Sequence, residues 1–394
     1  MKTELRNLYF PRAQLYTKEY AFKRVNWLMR KTRNRLHHIA QFSEDPKKMK
    51  GNIENFIGIA QVPLGIIGPL KMNGEYAQGH FYVPFATTEG ALLKSYHRGA
   101  LLLTEAGGVN VFTLKDEIHI SPVFLLADIE SAKSFILWVN NNFLKIKERA
   151  EKTTTHGKLI KITPYLLGRR VILNFAYFTG DAMGMNMINV ATDVACKFVL
   201  KKTGVQKYFL RSNLSSDKKP AFSNFIMGYG KEVVAEATLP RLIVEKYLNV
   251  TPEDFYEFCY SSLLASIQAG MIGINAQCAN ALAAIFIACG QDVAQVVNAV
   301  AGLSMCEITK KGDLYVALRM PNLVVGTVGG GTALGTQREC LNILGCYGSG
   351  KAKKFAEIVT ATLLAGEISI AAALTTGEFI KAHVEVRKHT KRKE

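Results

Sequence analysis

From Phe258 to Gln291 the chain runs for 34 residues without a charged side chain and then meets Asp292. Such a stretch has to leave water, either for a bilayer or for a protein core. Gln268, Asn275, Gln277 and Asn280 interrupt it, and Gly and Ala dominate it, so it reads as closely packed buried helices and not as a membrane span. No other part of the sequence reads as a membrane candidate. Asp292 is then expected to be buried with a cationic partner, because a lone buried carboxylate is costly.

The chain has 394 residues, enough for two or three domains, with the 48% hydrophobic and 21% charged fractions of an ordinary globular protein. A net charge of +17 favours polyanionic partners: nucleic acid, anionic lipid, or a phosphorylated substrate or cofactor. Seven scattered cysteines form no CxxC pair, and no His cluster has metal spacing. Reduced thiols in a cytosol and no bound metal are expected. The first residues, MKTELRNLYFPRAQLYTKEYAFKRV, mix charges throughout and show no apolar signal core, so a soluble cytoplasmic protein is expected.

Four regions follow from the change of character along the chain. Residues 1–50 form a basic, helical N-terminal segment ending in SEDPKKMKGN. Residues 51–125 open a mixed domain of strands and tight turns, with Pro63, Gly65, Gly68, Pro69 and an Asn73-Gly74 turn. Residues 126–208 read helix, strand, strand, loop, helix, a small α+β unit inserted in the larger domain. Residues 209–394 return to the large domain with long Ala-rich helices and end in a basic tail. Within this last region GDLYVALRMPNLVVGTVGGGT reads as a strand pair with a glycine loop.

Several short runs carry candidate chemistry. No GxGxxG follows a strand, which disfavours a Rossmann domain. GCYGSGKA nearly matches a phosphate-binding P-loop, but Ala352 stands where a hydroxyl would hold magnesium, and a helix precedes it in place of a strand. GTVGGGT, with Gly329 and Gly330, offers bare backbone amides to a phosphate or carboxylate. TTEG sets Glu89 between an apolar strand and a helix, either as a helix-start acid or as a catalytic group. SSDKKP gathers Asp217, Lys218 and Lys219 at a turn, and DAMGMN has a shape that helix and strand rules do not explain.

In order, ENFIG, PLGIIGPL, ATTEGAL, SSDKKP, TGDAMGMN, ACGQDVAQ and GTVGGGTALGTQRECL resemble the hydroxymethylglutaryl-coenzyme A reductase family, from about Gly51 to His383. The resemblance implies an α+β fold: a large mixed domain with long buried helices that binds coenzyme A and substrate, and an inserted small ferredoxin-like NADP-binding domain. It also implies NADPH-dependent reduction of the acyl thioester to mevalonate by two hydride transfers through mevaldehyde. Active sites between paired protomers of a homo-oligomer are implied as well, with no nucleic acid or membrane partner.

Residue by residue, the resemblance makes DAMGMN the cofactor loop. Asp181 and Asn186 offer polar contacts, Met183 and Met185 apolar ones, and Gly184 allows close approach. Lys218 stabilises the oxyanion. Glu89 acts as general acid toward the aldehyde, coupled to Asp292 and Lys218 as one titrating unit, with Glu89 buried beside Asp292. His383 protonates the departing thiolate. Arg387 and Lys388 meet the 2'-phosphate, Ser95 and Arg98 meet coenzyme A, and Arg211, Asp217, Lys219 and Asn280 line the substrate pocket. Better-known eukaryotic members have arginine, serine, lysine and histidine where this chain has Leu125, Arg211, Ser261 and Gln277, and an asparagine where it has His97. Positions 125, 211 and 261 surround the substrate's free carboxylate, so Arg211 is expected to supply the missing charge with help from Lys219. His389 replaces a regulatory serine. The rival readings are a reductase of another acyl-coenzyme A and, from a different class, a basic nucleic-acid-binding protein, although no nucleic-acid motif is present.

Overall fold

The computed structural model of the chain describes Pro11 and residues 15–378. His383, Arg387, Lys388 and His389 lie outside these residues. The basic first segment forms α1 (Lys18–Thr32), where the Thr17 hydroxyl accepts from the Tyr20 amide at 3.2 Å. Ala21 of α1 packs with Met49 and Phe56 in a small core of its own.

The apolar run after Gly51 becomes a hairpin, β1 (Leu64–Gly74) and β2 (Gln78–Ala86), with its turn after the Asn73-Gly74 pair. Next come α2 (Leu92–Glu105), β3 (Val109–Ile120) and β4 (Val123–Leu125). The stretch read as one helix splits at Asn142 into α3 (Ile129–Asn141) and α4 (Phe143–Glu151). The Asn142 side chain donates to the Trp138 carbonyl at 2.9 Å, a local bond that competes with helix continuation. Then follow β5 (Lys158–Leu167), β6 (Arg170–Phe178), α5 (Met185–Thr203) and β7 (Lys207–Phe209).

The remaining chain supplies β8 (Gly230–Leu239), α6 (Arg241–Leu248), α7 (Pro252–Gln268), α8 (Cys278–Ala288), β9 (Leu303–Ile308), β10 (Leu314–Leu323), α9 (Gly335–Ile343) and α10 (Ala352–Thr375). The run beginning GDLYV is one strand and not a strand pair. It is β10, which pairs antiparallel with β8 on one side and β9 on the other.

Strand β3 joins two sheets. Its first part pairs with β1 and β8, and its last three residues pair with β6. The second sheet runs β7-β4-β6-β5, all antiparallel. Its helices bury one face in a separate core containing Phe124, Phe135, Leu173, Phe175 and Ile188. The larger core gathers around α10, which is buried along nearly its whole length. Where α10 crosses α2, a side chain on Gly99 would meet the Ala365 carbonyl at 1.9 Å, so the close crossing requires glycine.

Two expectations change here. Half of the uncharged stretch is not buried: α7 leaves Tyr260, Leu264 and Ile267 exposed, whereas α8 is buried as expected. Among the described residues the helix with the length and hydropathy of a membrane span is α10, in place of the 258–291 stretch, and 78% of its apolar window is buried within the protein. Lys353, Lys354, Glu357 and Glu367 hid it from a reading that sought uncharged runs.

Candidate active site

The 180–186 loop, the glycine loop and the Gln291-Asp292 turn meet at the C-terminal end of α8. The Thr327 amide donates to the Asp181 carbonyl at 2.8 Å. Gln291 brackets Gly326, its Nε2 donating to the carbonyl at 3.0 Å and its Oε1 accepting from the amide at 2.9 Å. Next in sequence, Asp292 pairs through Oδ2 with Lys218 Nζ at 2.6 Å. Asp292 is thus half-buried and not sealed in the core, and its cationic partner is Lys218.

Lys218 reaches Asp292 from a constrained loop. Ser216 and Lys218 both have left-handed backbones, at φ 49° and 55°, which cost non-glycine residues about 1–2 kcal/mol each. Asn298 holds the loop by donating to the Ser216 carbonyl and accepting from the Lys219 amide. Asp217 accepts from Gln295 at 2.9 Å and pairs with Arg211 at 3.1 Å. Lys219 Nζ donates to the Asp217 carbonyl at 3.1 Å. The turn is therefore tied down through Asp217, Asn298 and the Lys218–Asp292 pair.

In the 180–186 loop, expected to meet the cofactor, Asp181 has a structural task. Its carboxylate accepts from the backbone amides of Gly350, Lys351 and Ala352 at 2.7, 3.1 and 3.1 Å. It thereby caps α10 from a distant part of the sequence, and it occupies the amides of the P-loop-like GCYGSGKA run. Met183 and Met185 are half-buried against the small core, and Met185 Sδ accepts from the Tyr229 hydroxyl. Gly184, at φ 82°, starts α5 with no side-chain cap, and a Cβ there would lie 2.4 Å from Thr179. The uncapped start of a 19-residue helix leaves amides free for an anion, and Asn186, Gly329 and Gly330 are exposed. Buried Lys231 supports the loop from below, pairing with Asp116 at 3.2 Å and donating to the Gly180 carbonyl at 3.3 Å.

His119 lies near this end on β3. Its Nδ1 contacts Asn174 at 3.1 Å and its ring stacks with Tyr229. Burial pushes its imidazole down to about 4.

At the other end of α8 stands Glu89. It is exposed, and its Oε1 accepts from Asn280 at 3.5 Å. Asn280 is in the first turn of α8 and Asp292 lies beyond the last, so about 12 Å of helical rise separates them. Within one chain Glu89 is therefore neither buried nor beside Asp292, contrary to expectation. Nearby, the Ser95 and Ser369 hydroxyls bond at 3.1 Å, and Arg98 donates from Nε to Ser369 Oγ at 3.0 Å while pairing with Glu378 at 3.1 Å.

A model of the hydroxymethylglutaryl-coenzyme A reductase family matches residues 21–388. The chain is 47% identical over 358 residues to the 3-hydroxy-3-methylglutaryl-coenzyme A reductase of Pyrococcus horikoshii, covering 89% of this chain and 87% of that protein. It is 47% identical over 357 residues to the enzyme of Methanocaldococcus jannaschii, at 89% and 88% coverage. The chain belongs to the hydroxymethylglutaryl-coenzyme A reductase family. Its fold matches a class II enzyme of Streptococcus pneumoniae solved with NADPH in open conformations, with a TM-score of 0.69 at 17% identity, over 83% of this chain and 79% of that one.

Among the positions where this member departs, Leu125 lies on β4 directly across from Arg170 and Lys207, and Ser261 is exposed on α7. Gln277 is buried, donating to the Gly366 carbonyl at 2.6 Å. His97 Nδ1 accepts from the Gly68 amide at 3.4 Å. Among the described residues no three His, Cys, Asp or Glu side chains converge as metal ligands, and all seven cysteines are free thiols.

The sequence reading passed over Gln291, Lys231, Ser369 and Glu367. Glu367 had a legible signal: it is a lone acid within the apolar run TLLAGEISIAAAL, the same pattern that drew attention to Asp292.

Proposed function

We infer that the chain reduces 3-hydroxy-3-methylglutaryl-coenzyme A to mevalonate and coenzyme A with NADPH, and that it works as a soluble cytoplasmic homo-oligomer. The observation that carries the reading is the Lys218–Asp292 pair joined through Gln291 to the glycine loop and the 180–186 loop. Bound at those loops, NADPH supplies the hydrides.

The second sheet, with its helix-strand-strand-helix order, is the proposed ferredoxin-like dinucleotide domain. The residues around it fit a dinucleotide phosphate: the open start of α5, the bare Gly329 and Gly330, and exposed Asn186. Asp181 shapes this site by holding the start of α10 against the loop, with three backbone amides on its carboxylate.

Lys218 Nζ stabilises the negative charge that builds on the thioester oxygen, and Asp292 aims the ammonium. Glu89, oriented by Asn280, gives a proton to the aldehyde oxygen. His383 protonates the leaving thiolate, which prevents its return to the aldehyde, and Arg387 with Lys388 engages the 2'-phosphate.

Glu89 and the Lys218–Asp292 pair sit at opposite ends of α8, so a complete site takes Glu89 from one protomer and Lys218 from its partner. The uncovered apolar side of α7 supports such pairing.

Arg211 is the proposed carboxylate clamp, with Nη2 paired with Asp217 and no second partner for its guanidinium among the described residues. The alternative, a different acyl-coenzyme A, draws on the apolar Leu125 and on that commitment of Arg211 to Asp217. Loss of reduced-nicotinamide absorbance, followed with NADPH or NADH against hydroxymethylglutaryl-, acetyl- and succinyl-coenzyme A, tests both. Oxidation with the first thioester alone supports the reading, and oxidation only with another thioester overturns it.

A further inference from the structure

Glu367 is 7% exposed in the apolar second half of α10, and no described residue forms an ion pair with it. Four donors saturate its two oxygens. Oε2 accepts from the Ala276 amide at 2.7 Å and the Ser304 hydroxyl at 3.1 Å, and Oε1 from the Gln277 amide at 2.8 Å and the Cys278 thiol at 3.5 Å. Two of these donors are backbone amides at the start of α8, where the helix dipole also favours an anion. A carboxylate is thus substituting for a cap that α8 does not make for itself.

From this anchor two chains of contacts leave. Gln277, fixed through its amide, donates from Nε2 to the Gly366 carbonyl at 2.6 Å and to Ser95 Oγ at 3.3 Å, and its own carbonyl accepts from Tyr96 at 2.8 Å. Ser95 continues to Ser369 and Ser369 to Arg98. One turn along α8 from Gln277, Asn280 reaches Glu89.

We propose that Glu367 is a positioning residue for the reaction, setting Asn280 and Glu89 at the acyl end and Gln277, Ser95 and Arg98 at the coenzyme A end through one buried carboxylate. The proposal rests on the reading above that Glu89 serves the acyl group and that Ser95 and Arg98 meet coenzyme A. A neutral amide in its place keeps the volume but turns an NH2 group toward donors, which forces the 274–278 loop to shift.

The test is the kinetics of Glu367→Gln in the full chain. The expected result is a roughly tenfold fall in kcat with a roughly tenfold rise in KM for the acyl-coenzyme A, while KM for NADPH stays within about twofold, since the dinucleotide loops lie at the far end of α8. Ser304→Ala, which removes one donor from the same carboxylate, should give the same split at about threefold, and it carries the test if the Gln variant does not fold. Kinetic values for Glu367→Gln within twofold of wild type, or a KM for NADPH that moves as far as that for the acyl substrate, would overturn the proposal. Calorimetric binding of free coenzyme A separates the two readings. Binding about tenfold weaker in Glu367→Gln supports positioning even without turnover, whereas equal binding sinks it. Wild type that binds coenzyme A but reduces no thioester sinks the reductase reading alone.

Discussion

The two ends of α8 solve the same problem in opposite ways. At its C-terminal end a charge pair, Lys218–Asp292, stays half-exposed, and glycine loops with Gln291 hold it in place. At its N-terminal end the exposed Glu89 carboxylate has Asn280 as its one side-chain partner among the described residues, and the structural charge, Glu367, is buried a layer below with four neutral donors. The charges proposed to react stay open to solvent, whereas the one proposed to position them is sealed and saturated. On the proposed function each end is half of a site, and the helix between them keeps the halves of one chain apart.

The strongest way to break the comparison is at Lys218. Lys218→Ala should lower kcat about a hundred- to a thousandfold, the effect of removing an oxyanion donor, with stability barely changed because the side chain is exposed. A loss of less than tenfold in steady-state kinetics would remove Lys218 from the chemistry.

Mixing comes next. If Glu89→Gln and Lys218→Ala are each inactive, co-refolded protein should recover roughly a quarter of wild-type activity, because random pairing gives half heterodimers with one intact site each. No recovery, despite proven subunit exchange, would place both residues in one protomer's site.

The ends also differ in their response to pH. His119 has a folded value pushed by burial from 6.5 down to about 4, so the unfolded chain binds the proton first. The associated stability is complete above pH 6.5 and is lost as pH falls toward 4, about 3 kcal/mol in all. Glu367 has the opposite sign: burial raises its carboxyl above 4.5, so its contribution is fullest below that value and is lost as pH rises through the folded one. Urea unfolding across this window should show a flatter acid limb in His119→Gln than in wild type. Matching acid limbs would refute the assignment.

The smallest effect is expected at Asp181. Asp181→Ala removes the acceptor for three amides at the start of α10 and should cost about 1–2 kcal/mol, read as a lower melting temperature, with weaker NADPH binding following from the loosened loop. Weaker NADPH binding at unchanged stability would restore Asp181 to direct cofactor contact.

Charge was the least informative part of the composition. Residues 1–50 hold thirteen Lys and Arg against four Asp and Glu, and residues 379–394 hold six against two, so most of the +17 lies at the two ends of the sequence.

Motif order alone made the family legible, because DAMGMN and GTVGGGT are short runs whose glycines and polar residues have no use in a regular element. The absence of charge located the buried α8, and Pro and Gly punctuation with the Asn73-Gly74 turn located the β1–β2 hairpin, since burial and tight turns leave marks on the sequence. Tertiary structure decided what no spacing encodes: that Asp181 caps a helix 170 residues away, that Glu89 and Asp292 lie at opposite ends of one helix, and that α7 is left uncovered while α10, with its charges, is buried. Those outcomes depend on which distant donors reach a given acid and which surface another element covers, and the identity of a residue cannot specify its partners.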